Sequence, residues 1–288
     1  MYTITGATGR VGSAAAARLL DDGTPVRAVV RDPAKGETWS ARGAQVALAD
    51  LDDRAALRDA FAGSDGVFVM LPFDLTADDF HAQTRAQVDA IAGAVADVQV
   101  PHVVMLSSLG ADLPEGTGPI VGLHWLEEAL RATGTVVSAI RSGHFQEKVG
   151  DVLDAARHAG IYPVFADSAD VPLPQVATRD NGALVAETLQ APRAASEVVD
   201  VAGPAYTERQ VADLLGAALG RELQVVTIPK EGWEDALVDA GVPRHIAQVM
   251  VGLYDADERG LLAPRGDRTV RATTPLEATL AGLVGVPA

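Results

Sequence analysis

Three glycines spaced three apart stand near the start of the chain, in Gly6-Ala7-Thr8-Gly9-Arg10-Val11-Gly12, between the short run Tyr2-Thr3-Ile4-Thr5 and an alanine-rich stretch at 13–20. A β-branched run that meets glycine can turn sharply, because glycine adopts backbone angles that a side chain forbids. A helix starting straight after such a turn presents unpaired amide N–H groups and the positive end of its dipole, and both favour a phosphate. Gly12 would let that helix lie close against the strand. These residue types and this spacing describe a dinucleotide site built by Gly6, Thr8, Gly9, Arg10, Val11 and Gly12. The spacing is G-x-x-G-x-x-G, not the commoner G-x-G-x-x-G. A glycine-rich turn that binds nothing is the plain alternative.

The next candidates follow from the strand that such a turn implies. Asp22-Gly23 makes a stop, and Pro25-Val26-Arg27-Ala28-Val29-Val30 reads as a second strand before Arg31-Asp32-Pro33. In a βαβ unit the end of the second strand lies beside the adenosine ribose, where an acid would bind the hydroxyls and an arginine would favour a 2′-phosphate. Arg31 occupies that end, and Arg10 would be in reach of the same phosphate. Arginine makes paired charge-assisted bonds to phosphate oxygens, so the expected cofactor is NADP(H) and NAD(H) is the less favoured one. Two solvated surface arginines are the competing account.

The remaining elements must hold these residues in place. Residues 44–49 read as a third strand ending at Asp50-Leu51, which would flank the adenine, and residues 54–61 as a helix. Gly66-Val67-Phe68-Val69-Met70-Leu71-Pro72 is apolar without alternation, as for a strand covered on both faces. Its end, Leu71-Pro72-Phe73, would come near the cofactor, because ligands sit beyond the carboxyl ends of parallel strands. A helix over 77–96 then leads to a strand region at 98–106 that ends at Ser107-Ser108-Leu109-Gly110. Four strands alternating with helices predict a doubly wound parallel sheet of the α/β class.

Composition limits the function. The chain has 288 residues, 23 Lys and Arg against 39 Asp and Glu, and a net charge of −16, so attraction to nucleic acid or an anionic membrane is absent. Without cysteine there are no disulfides, thiolate nucleophiles or cysteine-ligated metals. His81 and His102 lack the spacing partners of a metal site, and no metal is expected. No apolar run approaches the ~20 residues that span a bilayer. A strand beginning at the second residue leaves no room for an export signal, and a cytoplasmic location is expected.

Several further motifs complete a pattern: Val-Arg-Asp-Pro at 30–33, Leu-Ser-Ser-Leu-Gly-Ala at 106–111, Ala-Ile-Arg-Ser-Gly-His-Phe at 139–145, Val-Ala-Thr-Arg-Asp at 176–180 and Val-Ala-Gly-Pro at 201–204. With the glycine turn they resemble the NmrA-like family of atypical short-chain dehydrogenase/reductases, over most of the chain. The resemblance implies a Rossmann-type NAD(P)-binding domain over 1–150, with later strands near 175–203 joining it. It also implies a smaller, interleaved C-terminal α+β lobe for substrate over 151–288. The family usually takes NADP(H); its members include quinone reductases, other small-molecule reductases and regulators that bind the nucleotide without turnover.

The departures from that pattern bear on chemistry. Typical short-chain dehydrogenases use a Tyr-x-x-x-Lys pair for proton transfer, and none of Tyr2, Tyr162, Tyr206 or Tyr254 has lysine four residues later. Relatives of the quinone-reductase type carry a histidine or lysine near the place where His124 falls, and histidine suits proton transfer at neutral pH. Glu127 or Glu128 could orient its ring from the next turn; packing beside Trp125 is the alternative. Arg141-Ser142-Gly143-His144-Phe145 stands where the family has Arg-Pro-Gly, which places His144 at the pocket as a second candidate. Ser107 and Ser108 could bond the nicotinamide ribose or a substrate carbonyl, or simply cap the strand end.

The last third reads less clearly. Residues 160–174 suggest loop and short strand, 180–189 a helix, 197–201 a strand, and Thr207 a cap for a helix that Gly220 stops. A strand over 223–228 and two amphipathic helices within 233–262 follow; these helices could close a pocket, face the core or face a partner subunit. Reducing a flat conjugated carbonyl, quinone-like or aromatic, leaves a delocalised oxyanion that needs less proton assistance than a simple ketone. An NADPH-dependent reductase of such a small molecule is therefore the expected function, with a homodimer left open. A non-catalytic NADP(H)-sensing regulator and a biosynthetic tailoring or coupling enzyme are the alternatives.

Overall fold

The computed structural model describes residues 1–285. In its first half, strands alternate with helices: β1 (Tyr2–Ile4), α1 (Arg10–Asp21), β2 (Val26–Val30), α2 (Pro33–Ala41), β3 (Gln45–Leu48), α3 (Arg54–Phe61), β4 (Gly66–Val69), α4 (Phe80–Val98), β5 (His102–Ser108), α5 (Val121–Ala132) and β6 (Val136–Ser142). After this the alternation loosens into β7 (His144–Phe145), β8 (Ile161–Val164), β9 (Leu173–Val176), α6 (Thr178–Gln190), β10 (Glu197–Ala202), β11 (Ala205–Tyr206) and α7 (Glu208–Leu219). The chain continues through β12 (Gln224–Thr227), α8 (Trp233–Asp239), α9 (Arg244–Glu258), β13 (Arg268–Arg271) and α10 (Leu276–Val284).

Eight strands form one sheet in the order β13-β10-β6-β5-β4-β1-β2-β3, and every pairing in it is parallel. Side chains alternate between faces along a strand, which divides the core into two layers. Val67, Val69, Val103 and Met105 face α3, α4 and α5, whereas Ile4, Phe68, Val104 and Ile140 face α1 and α6. All four residues of β4 are buried, as expected for a strand covered on both faces. Burying an aliphatic or phenyl side chain contributes about 1.5–3 kcal/mol, so these layers carry much of the stability of the Rossmann-type sheet.

Helices α1 and α6 lie unusually close. A Cβ at Gly182 would sit 2.4 Å from Ala14 Cβ and 3.0 Å from the Val11 carbonyl oxygen, so glycine is required by the approach of the two backbones. A separate core forms where Tyr162 and Val164 of β8, Val211 and Leu215 of α7, and Leu276 and Leu280 of α10 meet. There β8 and β12 pair in parallel, and β9 lies between β7 and β11 in a second small sheet.

Helix α2 and strand β13 are among the elements not expected from the sequence. Helix α2 begins at Pro33, with Asp32 as its cap, and buries Gly36 and Trp39 but little else. So narrow an apolar stripe leaves no readable helical period. Strand β13 joins the edge of the large sheet through Arg268, which donates to both carboxylate oxygens of Glu197 on β10 at 2.9 and 3.0 Å. Among the described residues no helix is long and apolar enough to cross a membrane.

Candidate nucleotide and substrate site

The strand order reverses at β1, which pairs with β2 on one side and with β4 on the other. The helices that follow β1 and β4 therefore leave on opposite faces, and a crevice opens beyond the carboxyl ends of these strands. The glycine turn enters that crevice from β1, and Leu71-Pro72-Phe73 enters from β4. Met70, just before that segment, abuts the turn: a Cβ at Gly6 would be 3.1 Å from both its Cγ and its Sδ.

Within the turn each glycine has its own reason. Gly6 holds φ at +60°, and the Gly9 amide donates to its carbonyl at 2.8 Å. A Cβ on Gly12 would fall 2.3 Å from that same carbonyl oxygen, so no side chain fits there. Gly9 caps α1 without a side-chain hydrogen bond, and Ser13 is the first residue whose amide bonds back, to Gly9, at 2.9 Å. The amides of Arg10, Val11 and Gly12 thus have no partner within the helix, which is the arrangement an anion fills. Thr8, Gly9 and Arg10 are exposed at the mouth, while Val11 is buried beneath it.

The charged residues near the turn divide their work. Arg31 is exposed at the end of β2 and makes no ion pair among the described residues. Asp32, beside it, accepts from the Ala34 amide at 2.9 Å as the cap of α2, so its carboxylate is engaged. Asp50 likewise accepts from the Leu51 amide at 2.7 Å. Arg10 donates to the Glu147 carbonyl at 3.5 Å, across to the segment that follows β7. The Glu147 carboxylate is itself buried and receives the Thr178 amide at 2.9 Å and the Thr178 hydroxyl at 2.6 Å, closing the start of α6. Phe73 is exposed and meets Phe80 edge to face at 5.1 Å. Next to it Asp74 is held below the usual carboxylate range by the Thr76 hydroxyl and amide, with a lesser contribution from the charge of Arg31.

At the ends of β5 and β6 the principal feature is one the sequence reading missed. Glu127, 1% exposed, accepts from Arg141 on both oxygens at 2.8 and 2.7 Å, from Ser107 at 2.6 Å and from Arg131 at 2.8 Å. A buried carboxylate must be paired, and the Arg141 fork supplies two donors where an imidazole supplies one. Glu127 therefore does not orient His124, and Glu128 bonds Arg131 at 2.9 Å instead. The His124 ring is set by the Ala111 carbonyl, to which Nδ1 donates at 3.0 Å, so that Nε2 is left without its proton in the neutral ring. Ser107 donates its hydroxyl to Glu127, whereas Ser108 bonds only the neighbouring Leu109 carbonyl, at 3.1 Å.

The lobe presses on these strand ends at three places. Leu262 lies 2.7 Å from where a Cβ of Gly110 would be, and a Cβ at Gly118 would meet the α9 backbone at 2.5 Å. His144 Nε2 donates to Asp257 of α9 at 3.3 Å. No spacing in the sequence joins residues 144 and 257; only the seating of α9 does. Both side chains are about a quarter exposed, so the pair lies where solvent or a ligand reaches it.

Residues 2–264 match the NmrA-like family. The chain belongs to that family. The NAD(P)H azoreductase of Xenophilus azovorans is 30% identical over 257 residues, covering 88% of this chain and 86% of that protein. The (4-alkanoyl-5-oxo-2,5-dihydrofuran-3-yl)methyl phosphate reductase of Streptomyces griseus is 30% identical over 265 residues, covering 91% and 89%. Among solved structures, the NADPH-dependent quinone oxidoreductase of Escherichia coli complexed with NADPH superposes with a TM-score of 0.78 at 25% identity, covering all (100%) of this chain and 95% of that one.

In this NmrA-like chain no tyrosine takes the place of the missing Tyr-x-x-x-Lys pair. Tyr162 is buried in the lobe and donates to Glu208 at 2.6 Å; burial and then that carboxylate push its hydroxyl well above the ordinary range. Tyr254 stacks on Phe165 at 5.0 Å, and burial, followed by Asp151, pushes it up to about 12. The Tyr206 hydroxyl accepts from the Leu276 amide at 3.0 Å. Tyr2 begins β1, at the opposite end of the strand from the glycine turn.

Proposed function

We propose that this chain is an NADPH-dependent reductase of a flat, conjugated, quinone-like small molecule. The observation that carries this reading is the cradle at the switch point: three helix amides without partners, over a turn in which Gly12 leaves no room for a side chain. That cradle fits a pyrophosphate. The amides of Arg10, Val11 and Gly12 would hold it, Arg31 would pair with a 2′-phosphate on the adenosine side, and Asp50 and Leu51 would flank the adenine. Leu71, Pro72 and Phe73 would cover the nucleotide from β4, and Ser107 and Ser108 would meet the nicotinamide half. A bound nicotinamide supplies a hydride.

The acceptor follows from which residues can manage a proton. Without a tyrosine at the end of β5, the proton that completes the reduction must come from an imidazole or from water. As an imidazolium, His144 would keep its Nε2 proton on Asp257 and give the one on Nδ1, and His124 would keep its Nδ1 proton on Ala111 and give the one on Nε2. An acceptor whose reduction leaves a delocalised oxyanion tolerates such modest assistance. The relatives named for quinone and azo-dye reduction agree with an acceptor of this electronic type.

Following NADPH absorbance in the presence of a series of benzoquinones and naphthoquinones tests the reading. Consumption that saturates with quinone is expected. Tight NADPH binding with no consumption would make the protein a nucleotide-binding regulator, and absence of NADPH binding would overturn the cradle assignment.

A further inference from the structure

A second cavity lies apart from the nucleotide crevice. It is a cleft of about 720 Å³ between the first turns of α4, the start of α5 and α9. His81, Arg85, Trp125 and His245 line it together with the apolar Val121 and Val249. Its walls carry one guanidinium and one carboxylate, a formal charge of zero in a strongly acidic chain. The protein carries a net charge of −16, yet Glu115 is the one carboxylate on the walls of this cleft, facing a guanidinium and two imidazoles.

These groups are not used by one another as ion pairs. Arg85 is exposed and makes no salt bridge among the described residues; its guanidinium lies 3.6 Å from the centroid of the Trp125 ring. His81 meets the same ring edge to face at 5.8 Å. His245 donates through Nε2 to the Ala77 carbonyl at 2.8 Å, which fixes its ring at the cleft wall. An arginine stacked on an indole is pre-positioned and keeps the N–H groups at its edge available to an acidic group. Flat apolar and aromatic walls beside a guanidinium without an ion-pair partner match a ligand with a ring and a negative charge.

We propose that this cleft binds a flat aromatic anion, a ring bearing one carboxylate or sulfonate. The acidic group pairs with Arg85, and the ring rests on Val121 and Val249 beside the edge of Trp125. The proposal does not rest on the nucleotide reading, because the cleft is formed by α4, α5 and α9 and its ligand is measured with no nucleotide added.

The protein supplies its own reporter. Trp39 and Trp233 are buried, at 6% and 0% exposure, and Trp125 is the half-buried indole. Titrating the full chain with 4-nitrobenzoate, a quencher of tryptophan emission, is expected to give saturable quenching. The neutral 4-nitrobenzamide is expected to bind about tenfold more weakly or worse, since it lacks the charge-assisted contact. Arg85→Gln is expected to weaken 4-nitrobenzoate by a similar factor, and Trp125→Phe to remove the saturable quench. Quenching that rises linearly without saturation, equal affinity for acid and amide, or a saturable quench that survives in Trp125→Phe would each overturn the proposal. The acid-versus-amide comparison is repeated on the unaltered protein with excess inorganic pyrophosphate filling the cradle of α1, and loss of the acid's advantage there would overturn the proposal.

Discussion

Glu127 grips Arg141 through both carboxylate oxygens, at 2.8 and 2.7 Å, in the buried seam between α5 and β6. The same carboxylate holds Ser107 at the end of β5, so one side chain ties together the two strand ends that face the substrate side. Removing its charge leaves Arg141, itself 5% exposed, with only the more distant Asp112 carboxylate at 3.7 Å as an ion-pair partner. Glu127→Gln is expected to cost about 3–5 kcal/mol in urea unfolding. The double change Glu127→Leu with Arg141→Met should cost distinctly less, because both charges then leave the interior. Equal losses in the two proteins would show that packing, and not the ion pair, holds the seam.

Gly12→Ala tests the glycine turn. The added methyl would face the Gly6 carbonyl at 2.3 Å and the Thr5 carbonyl at 2.9 Å, both backbone atoms that cannot rotate away. A loss of about 1–3 kcal/mol in stability is expected, together with loss of NADPH binding, read by thermal melts with and without nucleotide. Normal binding in the alanine protein would mean that the phosphates do not lie over this turn.

Arg31→Ala addresses cofactor choice. With Asp32 engaged as the cap of α2, Arg31 is the charged residue left at the end of β2. Its removal should weaken NADPH about tenfold or more and leave NADH little changed, as calorimetry would show. A parallel loss for both nucleotides would point to general electrostatics and not to a 2′-phosphate contact.

His144 and Asp257 form a hydrogen bond between β7, just past the end of β6, and α9, and the proposed chemistry makes Asp257 a positioning residue for the His144 ring. His144→Ala is expected to lower kcat for quinone reduction by about 10²-fold if it supplies the proton. Asp257→Asn should lower kcat less and shift its pH profile, with KM for quinone nearly unchanged. Should His144→Ala keep full rate while His124→Ala loses it, the proton role passes to His124.

The acid stability of the sheet edge should depend on Glu197. The hydrogen bonds from Arg268 hold its carboxyl below the ordinary value of 4.5, against an opposing effect of burial. A depressed folded-state value means that the contribution is fully present above about pH 4.5 and is lost as pH falls through the lower folded value. Glu197→Gln should therefore flatten the decline of the melting temperature between neutral pH and the acid range. An identical decline in both proteins would remove this pair from the acid response.

Much of the nucleotide side was legible because it is local. Gly6 to Gly12, the strand that feeds them and the helix that leaves them lie within about twenty residues, and the backbone demands of a strand–turn–helix unit are written in residue type and spacing. The strand ends at Arg31, Leu71 and Ser107 were readable for the same reason, since parallel strands bring their carboxyl ends to one edge. Asp32, one place after Arg31, caps α2, a role that the sequence reading did not assign to it.

The arrangement at the ends of β5 and β6 was decided by contacts between residues far apart in the chain. Glu127 stands one helical turn from His124, a spacing that suggests partnership, but the packing of α5 on β5 and β6 turns its carboxylate inward to Ser107 and Arg141. His144 and Asp257 are separated by 113 positions and meet only because α9 folds back over the end of β6. By itself the sequence determined the turn, the alternating sheet and the absence of a Tyr-x-x-x-Lys pair, all set by neighbours along the chain. Tertiary structure alone decided which acid faces which base, because buried charges choose partners by proximity across the core and not by spacing.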